Sequence, residues 1–172
     1  ELNHEKEKAN WLIFYKKSSP QYNLSWSESV DEALCFGWID SVKKTIDSEK
    51  YKQYFSKRKT NSVWSKVNKD KIDFLINEKL MQEAGYKTIE VAKKNGSWST
   101  LDSVEALVVP EDLKKEFNDR AGSLEYYENL SKSAKKILLA WIALAKRPET
   151  RQKRIIEVAE NASKGLKPKQ FR

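Results

Sequence analysis

The first 60 residues contain three short runs in which aromatic and β-branched residues are frequent. Residues 11–17 form the first run, and residues 38–46 and 51–58 form two more around a four-residue polar loop. Runs of this kind between polar loops are typical of β-strands, so the pattern predicts three strands and one hairpin. Alternate side chains of a strand point to opposite faces. In the third run, one predicted face carries Tyr51, Gln53 and Phe55, and the other carries Lys52, Tyr54 and Ser56.

Between the first two runs the pattern changes to a helical period. Ser25 and Glu28 fit a capping box, in which each side chain accepts a hydrogen bond from the other residue's backbone N–H. The apolar stripe of this predicted helix consists of Trp26, Val30, Ala33 and Leu34. Gly37 lies where a left-handed C-cap would end the helix.

From residue 65 onward the pattern is helical almost throughout. Helices are predicted at 66–79, 82–95, 123–130, 132–146 and from Pro148 to Gly165, with another beginning near Pro110. Residues 97–109 are predicted to be loop or short extended structure. Residues 137–145 are apolar all round, which is typical of a helix at the centre of a core.

These patterns predict an α+β fold, in which a small N-terminal antiparallel sheet of about three strands packs against a mainly α-helical C-terminal half. A length of 172 residues is typical of one domain. We therefore expect a single domain, 1–172, with a sheet-containing part at 1–64 and a helical part at 65–172.

Positive charge is concentrated in two segments. The formal net charge is +8, and residues 132–172 carry 12 Lys and Arg against three acids. Residues 43–71 hold a second excess, with ten bases and three acids. Basic segments attract polyanions when they meet on one surface, and they also occur as ordinary solvated faces. The charge therefore indicates either an anionic partner or a surface that serves solubility.

Composition excludes several kinds of site. Cys35 is the single cysteine and His4 the single histidine, which excludes an intramolecular disulfide and a multi-cysteine metal site. The five glycines form neither a P-loop nor a Rossmann pattern. We predict no cofactor and no metal, and we interpret Cys35 as a buried thiol. No apolar run approaches the ~20 residues of a membrane span, and the lone cysteine favours the cytoplasm.

Two sets of residues resemble the bacterial YdeI/OmpD-associated (OmdA-like) family. The first set is the run EALCFGWIDS at 32–41, followed by Arg58 and then by SVWS at 62–65 with Asn68. The second is AKRPETR at 145–151, followed by RI at 154–155. Together these motifs extend the resemblance over nearly the whole chain. The family is named for bacteriocin protection and outer-membrane-protein association, so the resemblance implies a role in stress or antimicrobial-peptide resistance and assigns no biochemical activity.

The stretch from residue 38 to residue 68 is the most site-like part of the chain. Its candidate ligand-binding residues are Trp38, Asp40, Lys44, Arg58, Trp64, Ser65 and Asn68. Arg58 and the start of the helix that Ser65 caps would hold a phosphate or carboxylate, with Trp64 as a stacking wall. The alternative is structural, with Asp40 paired to Arg58 or a lysine, both tryptophans in the core and Ser65 only a helix cap.

Arg151 falls within the apolar arc of the last predicted helix. A partly buried arginine needs a carboxylate or carbonyl partner. The favoured interpretation is therefore a structural ion pair, and ligand contact by the same side chain is the alternative.

Three functions remain in competition. The residues favour a non-catalytic binding domain for an anionic small molecule or nucleic acid, carried by the two basic segments. A protein partner in bacteriocin or stress resistance is the second hypothesis. A small-molecule enzyme of unknown class is the third hypothesis. No catalytic residue is assigned, because the sequence shows neither a nucleophile–base pair nor a set of metal ligands.

Overall fold

The computed structural model describes residues 3–172. The chain forms two compact units that divide between Ser99 and Thr100. The first unit contains the sheet and three helices, and the second consists of helices. The α+β class is confirmed. The expectation of one domain with an internal change at 64/65 stays a prediction, although the sheet-containing unit continues through two helices to residue 99.

The first unit is a three-stranded antiparallel sheet, counted over the described residues, with helices on it. Its elements are β1 (Ala9–Tyr15), α1 (Trp26–Cys35), β2 (Trp38–Thr45), β3 (Lys50–Lys57), α2 (Lys66–Asn77) and α3 (Glu83–Lys94). The strand order is β1-β3-β2, so the last strand in sequence is the central one. Sequence periodicity finds the strands, but it carries no information on which strands are neighbours.

The two faces of the sheet differ in their surroundings. On the inner face, Phe14 of β1 is stacked on Tyr51 of β3, with ring centroids 5.1 Å apart, and lies 6.5 Å from Phe55. Phe14 and Phe55 are buried in the same core as Trp64. On the outer face, Ile13 is 62% exposed, so this part of the sheet is open to solvent. The predicted alternation along β3 is confirmed, with Phe55 facing inward.

Helix α1 begins as the sequence predicts, but the expectation that Trp26 belongs to its buried stripe was wrong, because Trp26 is 45% exposed. The Ser25 hydroxyl accepts from the Glu28 N–H at 3.1 Å, and the Glu28 carboxylate accepts from the Ser25 N–H at 2.8 Å. These two bonds satisfy backbone donors that the first turn of a helix leaves free. After α1, Gly37 adopts φ +72°, the left-handed conformation that glycine tolerates without steric cost, and the chain turns into β2.

The second unit contains five α-helices within the described residues. They are α4 (Asp102–Glu105), α5 (Glu111–Asn118), α6 (Ser123–Glu128), α7 (Lys132–Ala143) and α8 (Pro148–Ala162), and a 3-10 turn follows at Lys169–Phe171. Their shared core includes Leu113, Phe117 and Ile155.

Two expectations for the second unit were wrong. The segment 97–109, expected to be loop or extended, contains the short helix α4. Helix α7 is apolar all round in sequence, but only Leu138, Leu139 and Ile142 are buried, while Ile137 is 50% exposed. The unit is small, so a helix in it has one buried side, and apolar residues on the other side remain in solvent.

No helix of residues 3–172 combines the length and apolar character that crossing a membrane requires.

Close packing of α3 against the end of α1 gives a test of the first unit. A Cβ added at Gly85 would lie 2.4 Å from the Cys35 carbonyl oxygen and 2.9 Å from that of Leu34. Backbone atoms cannot move aside as a flexible side chain can, so we expect Gly85→Ala to lower the free energy of unfolding by about 3 kcal/mol.

Gly96→Ala is the matched control, because Gly96 has φ +80° and no heavy atom within 4 Å of the added Cβ. Its cost is only the left-handed backbone, about 1 kcal/mol. Chemical denaturation of both variants measures the difference. A Gly85→Ala protein as stable as the Gly96→Ala protein would show that this contact is not tight.

Candidate functional site

The outer face of the sheet carries a cluster of aromatic rings and lysines, which we call the outer cluster: Trp11 and Lys44, which are exposed, and Lys52 and Tyr54, which are half-buried. The Trp11 and Tyr54 rings lie 5.0 Å apart between centroids at 57°. The Lys52 ammonium lies 4.9 Å from the centroid of the Trp11 ring, and the Lys44 ammonium 5.5 Å. An ammonium at this distance is attracted to the ring electrostatically.

Cross-strand pairing positions these four side chains. Trp11 is the register partner of Tyr54, and Lys44 is the partner of Lys52. Directly opposed residues on one face have Cβ atoms about 4.5–5.5 Å apart, which is close enough for ring and cation contacts. All three strands therefore contribute to the cluster.

A β-bulge in β2 decides which face Lys44 occupies. Asp40 pairs with Phe55 and Lys43 pairs with Gln53, so three residue steps on β2 match two on β3. Regular pairing would place Lys44 on the same face as Asp40, because the side-chain period of a strand is two. The extra residue turns Lys44 to the outer face. Lys43 stays on the inner face of the sheet, with its ammonium group 4.1 Å from the Tyr51 ring centroid.

The outer cluster is cationic, and its positive charge is not internally neutralised. Neither Lys44 nor Lys52 forms an ion pair with a described residue, whereas Lys50, at the edge of the same face, pairs with Asp47 at 3.4 Å. The exposed fraction of Trp11 is 38%. An open face with aromatic rings and unpaired ammonium groups suits a flexible polyanion that also presents flat rings.

Asp40 lies on the inner side of the sheet and is held by two neutral donors. Its carboxylate accepts from the Trp26 indole N–H at 2.9 Å and from the Gln53 amide at 3.0 Å. It forms no ion pair with Arg58 or a lysine among the described residues. Trp38 is buried in the core of the first unit, and its indole nitrogen has no hydrogen-bond partner in residues 3–172.

Arg58 and Trp64 are in direct contact. The Arg58 guanidinium lies 3.6 Å from the Trp64 ring centroid and donates to the Val63 carbonyl oxygen at 2.9 Å. Burial lowers the pKa of Arg58 to about 10, and the Asp40 carboxylate opposes that shift, so Arg58 is protonated at neutral pH. Trp64 is 1% exposed, and its ring also contacts Trp98 at 4.9 Å, so it offers no free face to a ligand.

A small cavity of about 140 Å³ opens beside Arg58. Its polar lining is cationic or hydroxylic, from Arg58, Lys59, Thr60, Lys87 and Thr88, and no carboxylate lines it within the described residues. The Nε of Arg58 is buried without a hydrogen-bond partner in that same part of the chain. The volume and the donors fit a group the size of a phosphate or carboxylate.

Ser65 and Asn68 act together at the start of α2. The Ser65 hydroxyl accepts from the Asn68 backbone N–H at 3.3 Å, as an N-cap side chain does. Neither residue lines the cavity beside Arg58. The structure thus places the seven predicted residues in several environments, with only Arg58 and Trp64 lining a common cavity and Lys44 in the outer cluster.

Arg151 forms an ion pair with Asp112 in the second unit. Both terminal nitrogens of the guanidinium donate to the Asp112 carboxylate, one of them at 3.1 Å. The pair joins α8 to α5, and both side chains are about one third exposed. On the next turn, Arg154 donates to the Trp141 carbonyl oxygen and lies 5.0 Å from the centroid of the Trp141 ring. Both arginines therefore join helices of one bundle.

Trp11 and Lys52 are the candidate residues that sequence reasoning missed. The alternation in residues 51–58 does place Lys52 and Tyr54 on one face. Trp11, however, belongs to a strand 40 residues earlier, and only the strand order β1-β3-β2 brings it opposite Tyr54. A cross-strand aromatic pair of this kind leaves no local signal.

Comparison with known families gives two matches that follow the division of the chain. Residues 1–88, just over half of the chain, match a family described as a domain of unknown function (DUF8412). Residues 106–165 match the family described as "Bacteriocin-protection, YdeI or OmpD-Associated". The chain belongs to the DUF8412 family and carries a YdeI/OmpD-associated segment in its second unit.

The predicted YdeI/OmpD-associated resemblance is thus confirmed at residues 106–165, which contain the motif at 145–155. The motifs at 32–41 and 58–68 lie within the DUF8412 match instead. Neither curated proteins nor solved structures gave a match to the chain.

Reactivity of Cys35 tests the burial of the α1 terminus. Burial raises the pKa of the Cys35 thiol to about 11, and the Glu32 and Asp31 carboxylates act in the same direction. Because the thiolate is the reactive form, we expect the folded protein to react with Ellman's reagent at pH 8 at least about 100-fold more slowly than the unfolded chain.

The unfolded chain in guanidinium chloride is the control and should release one equivalent of product, since Cys35 is the single cysteine. Since the folded pKa lies above the unfolded value of about 8.5, the thiol's contribution to stability is complete below pH 8.5 and is lost toward pH 11. Rapid labelling of the folded protein at pH 8 would contradict the burial.

Proposed function

We propose that the first unit is a non-catalytic binding domain whose outer cluster binds single-stranded nucleic acid. The observation that carries the proposal is the Trp11–Tyr54 pair on the outer face of the sheet with Lys44 and Lys52 beside it. Base stacking on aromatic side chains contributes about 1–3 kcal/mol per base, and ammonium groups on the same face contact the phosphates.

Several features support a single strand over a duplex. The aromatic rings of the outer cluster lie side by side across strands, and stacking on them needs bases that are not already paired. The face is a shallow three-stranded sheet in the described residues, so it presents no helix to a major groove. Duplex DNA is therefore the weaker ligand in this proposal.

The first test measures fluorescence anisotropy of labelled oligonucleotides of about 12 nucleotides, single-stranded DNA, single-stranded RNA and duplex DNA, across a salt series. Trp11→Ala should weaken single-strand binding about tenfold, and Trp11→Phe should retain most of it, because a ring remains for stacking. Phe74→Ala removes an exposed ring from α2 and serves as the matched control.

Lys52→Gln should flatten the slope of log K against log salt by about 0.7, the value for one phosphate contact on a single strand. Trp11→Ala should leave that slope unchanged. Lys94→Gln on α3 removes the same charge away from the sheet and should change neither quantity. Equal effects of Lys52→Gln and Lys94→Gln, or no binding at low salt, would refute the proposal.

The cavity beside Arg58 supports a second candidate, a small anionic ligand. We expect inorganic phosphate to raise the thermal midpoint of the protein more than chloride at equal ionic strength, since Arg58 is charged and its Nε lacks a partner among the described residues. Arg58→Met should abolish the difference between the two salts, and Lys52→Gln should retain it.

Comparison of the salts on the unaltered protein does not depend on how Arg58→Met affects folding. No difference between phosphate and chloride would remove this candidate and leave Arg58 as a structural residue. Phosphate stabilisation that survives in full in Arg58→Met would show that it does not come from an anion bound at Arg58, because phosphate also stabilises folded proteins by exclusion from their surface.

A protein partner is supported by the name of the family that matches residues 106–165, which refers to bacteriocin protection. That description favours an interaction role for the second unit and assigns no chemistry to it. The cytoplasmic location also stays a proposal, supported by a single unpaired and buried cysteine.

A further inference from the structure

A groove of about 330 Å³ lies between α1 and the inner face of the sheet. Its floor is apolar and largely aromatic, from Leu12, Phe36, Trp38 and Phe55, with Leu24 and Ala33 at the sides. Leu12 and Leu24 are each about 40% exposed, so the groove leaves apolar surface open that the core does not use. The volume is at the lower end of the range for small-molecule sites.

The charged groups on the groove are carboxylates. Glu7 and Glu32 both line it, both are exposed, and neither side chain forms an ion pair or hydrogen bond with another described residue. No Lys or Arg lines the groove within residues 3–172, although the chain as a whole has a net charge of +8. The groove is therefore a locally acidic site on a basic protein, and charge complementarity selects a cation.

The aromatic lining favours the same ligand charge. Phe36, Trp38 and Phe55 present three aromatic side chains to the groove, and the His4 ring lies 4.8 Å from that of Phe36. Aromatic faces attract ammonium groups by their quadrupole, most strongly where water is excluded. Trp38 is 8% exposed, and its indole nitrogen, without a partner among the described residues, provides a specific probe of this site.

We propose that this groove binds a small organic cation, an ammonium group carried on an apolar body. The apolar body packs on Leu12 and the aromatic floor, and the ammonium group lies between the Glu7 and Glu32 carboxylates. The site uses the inner face of the sheet, and none of its lining residues belongs to the outer cluster, so it is independent of nucleic-acid binding.

The test uses four probes of similar shape on the full chain: phenethylammonium, benzyltrimethylammonium, benzyl alcohol and phenylacetate. Two-dimensional ¹H–¹⁵N spectra follow the Trp38 indole N–H signal, which Trp38→Phe assigns, during titration of each probe. We expect the two cations to bind about tenfold more tightly than benzyl alcohol, and phenylacetate to bind most weakly.

Glu7→Gln and Glu32→Gln should each weaken cation binding about threefold, as expected for a partly exposed ion pair, and should leave benzyl alcohol binding unchanged. Glu90→Gln, on the exposed side of α3, makes the same charge change outside the groove and should have no effect. The comparison of probes on the unaltered protein keeps the test independent of variant folding.

Three results would overturn the proposal. Equal affinity for phenylacetate and the cations would show that charge does not select the ligand. Equal losses in Glu32→Gln and Glu90→Gln would show a general charge effect. Absence of any shift of the Trp38 signal at about 10 mM of either cation would show that the groove does not bind this class, since specific small-molecule sites reach at least millimolar affinity.

Discussion

The buried amide of Gln53 holds the irregular part of the sheet in place. Gln53 is 3% exposed, and its Nε2 donates to the Asp40 carboxylate at 3.0 Å and to the Ser41 carbonyl oxygen at 3.2 Å. A β-bulge leaves backbone groups without ladder partners, and an unpaired carbonyl near the core would be costly. One amide thus satisfies the bulge carbonyl and fixes Asp40, which also anchors Trp26 of α1. The bulge is therefore coupled to the position of the helix that covers the inner face.

The bulge decides which of two consecutive lysines lies on the outer face. Continued regular pairing would turn Lys44 inward, opposite Tyr51, and would place Lys43 opposite Lys52 in its stead. With the extra residue, two lysines from adjacent strands lie opposite each other beside one tryptophan. Like charges directly opposed in a sheet repel, and here the Trp11 ring between them supplies only partial compensation. Such an arrangement keeps an unfavourable local charge that an anionic ligand would relieve.

Local signals in the sequence account for most of the elements but not for the cluster. The Ser25–Glu28 capping box, the left-handed Gly37 and the alternation along β3 are encoded within a few residues, and the structure contains all three. Short-range patterns could not supply the strand order, the bulge or the burial of one side of α7. Trp64 shows why the sequence does not decide the role of a candidate site residue. A tryptophan next to a basic stretch can stack on a ligand or be a core side chain. Its 1% exposure follows from tertiary packing against Arg58 and Trp98, which no spacing encodes.

The outer cluster and the groove beside α1 carry opposite charges, although strands of one sheet contribute to both. Alternation places Lys52 on one side of β3 and Phe55, which lines the groove, on the other. The outer face carries ammonium groups without carboxylate partners among the described residues, and the groove beside α1 carries carboxylates without cation partners in the same part of the chain. The chain has 33 Lys and Arg against 25 Asp and Glu, yet the charged side chains that line the groove within the described residues are both acidic. Unpaired charges of one sign on each side add little to stability, because no partner offsets their mutual repulsion. The two proposed ligands, one anionic and one cationic, would each supply the partner charge that these side chains lack.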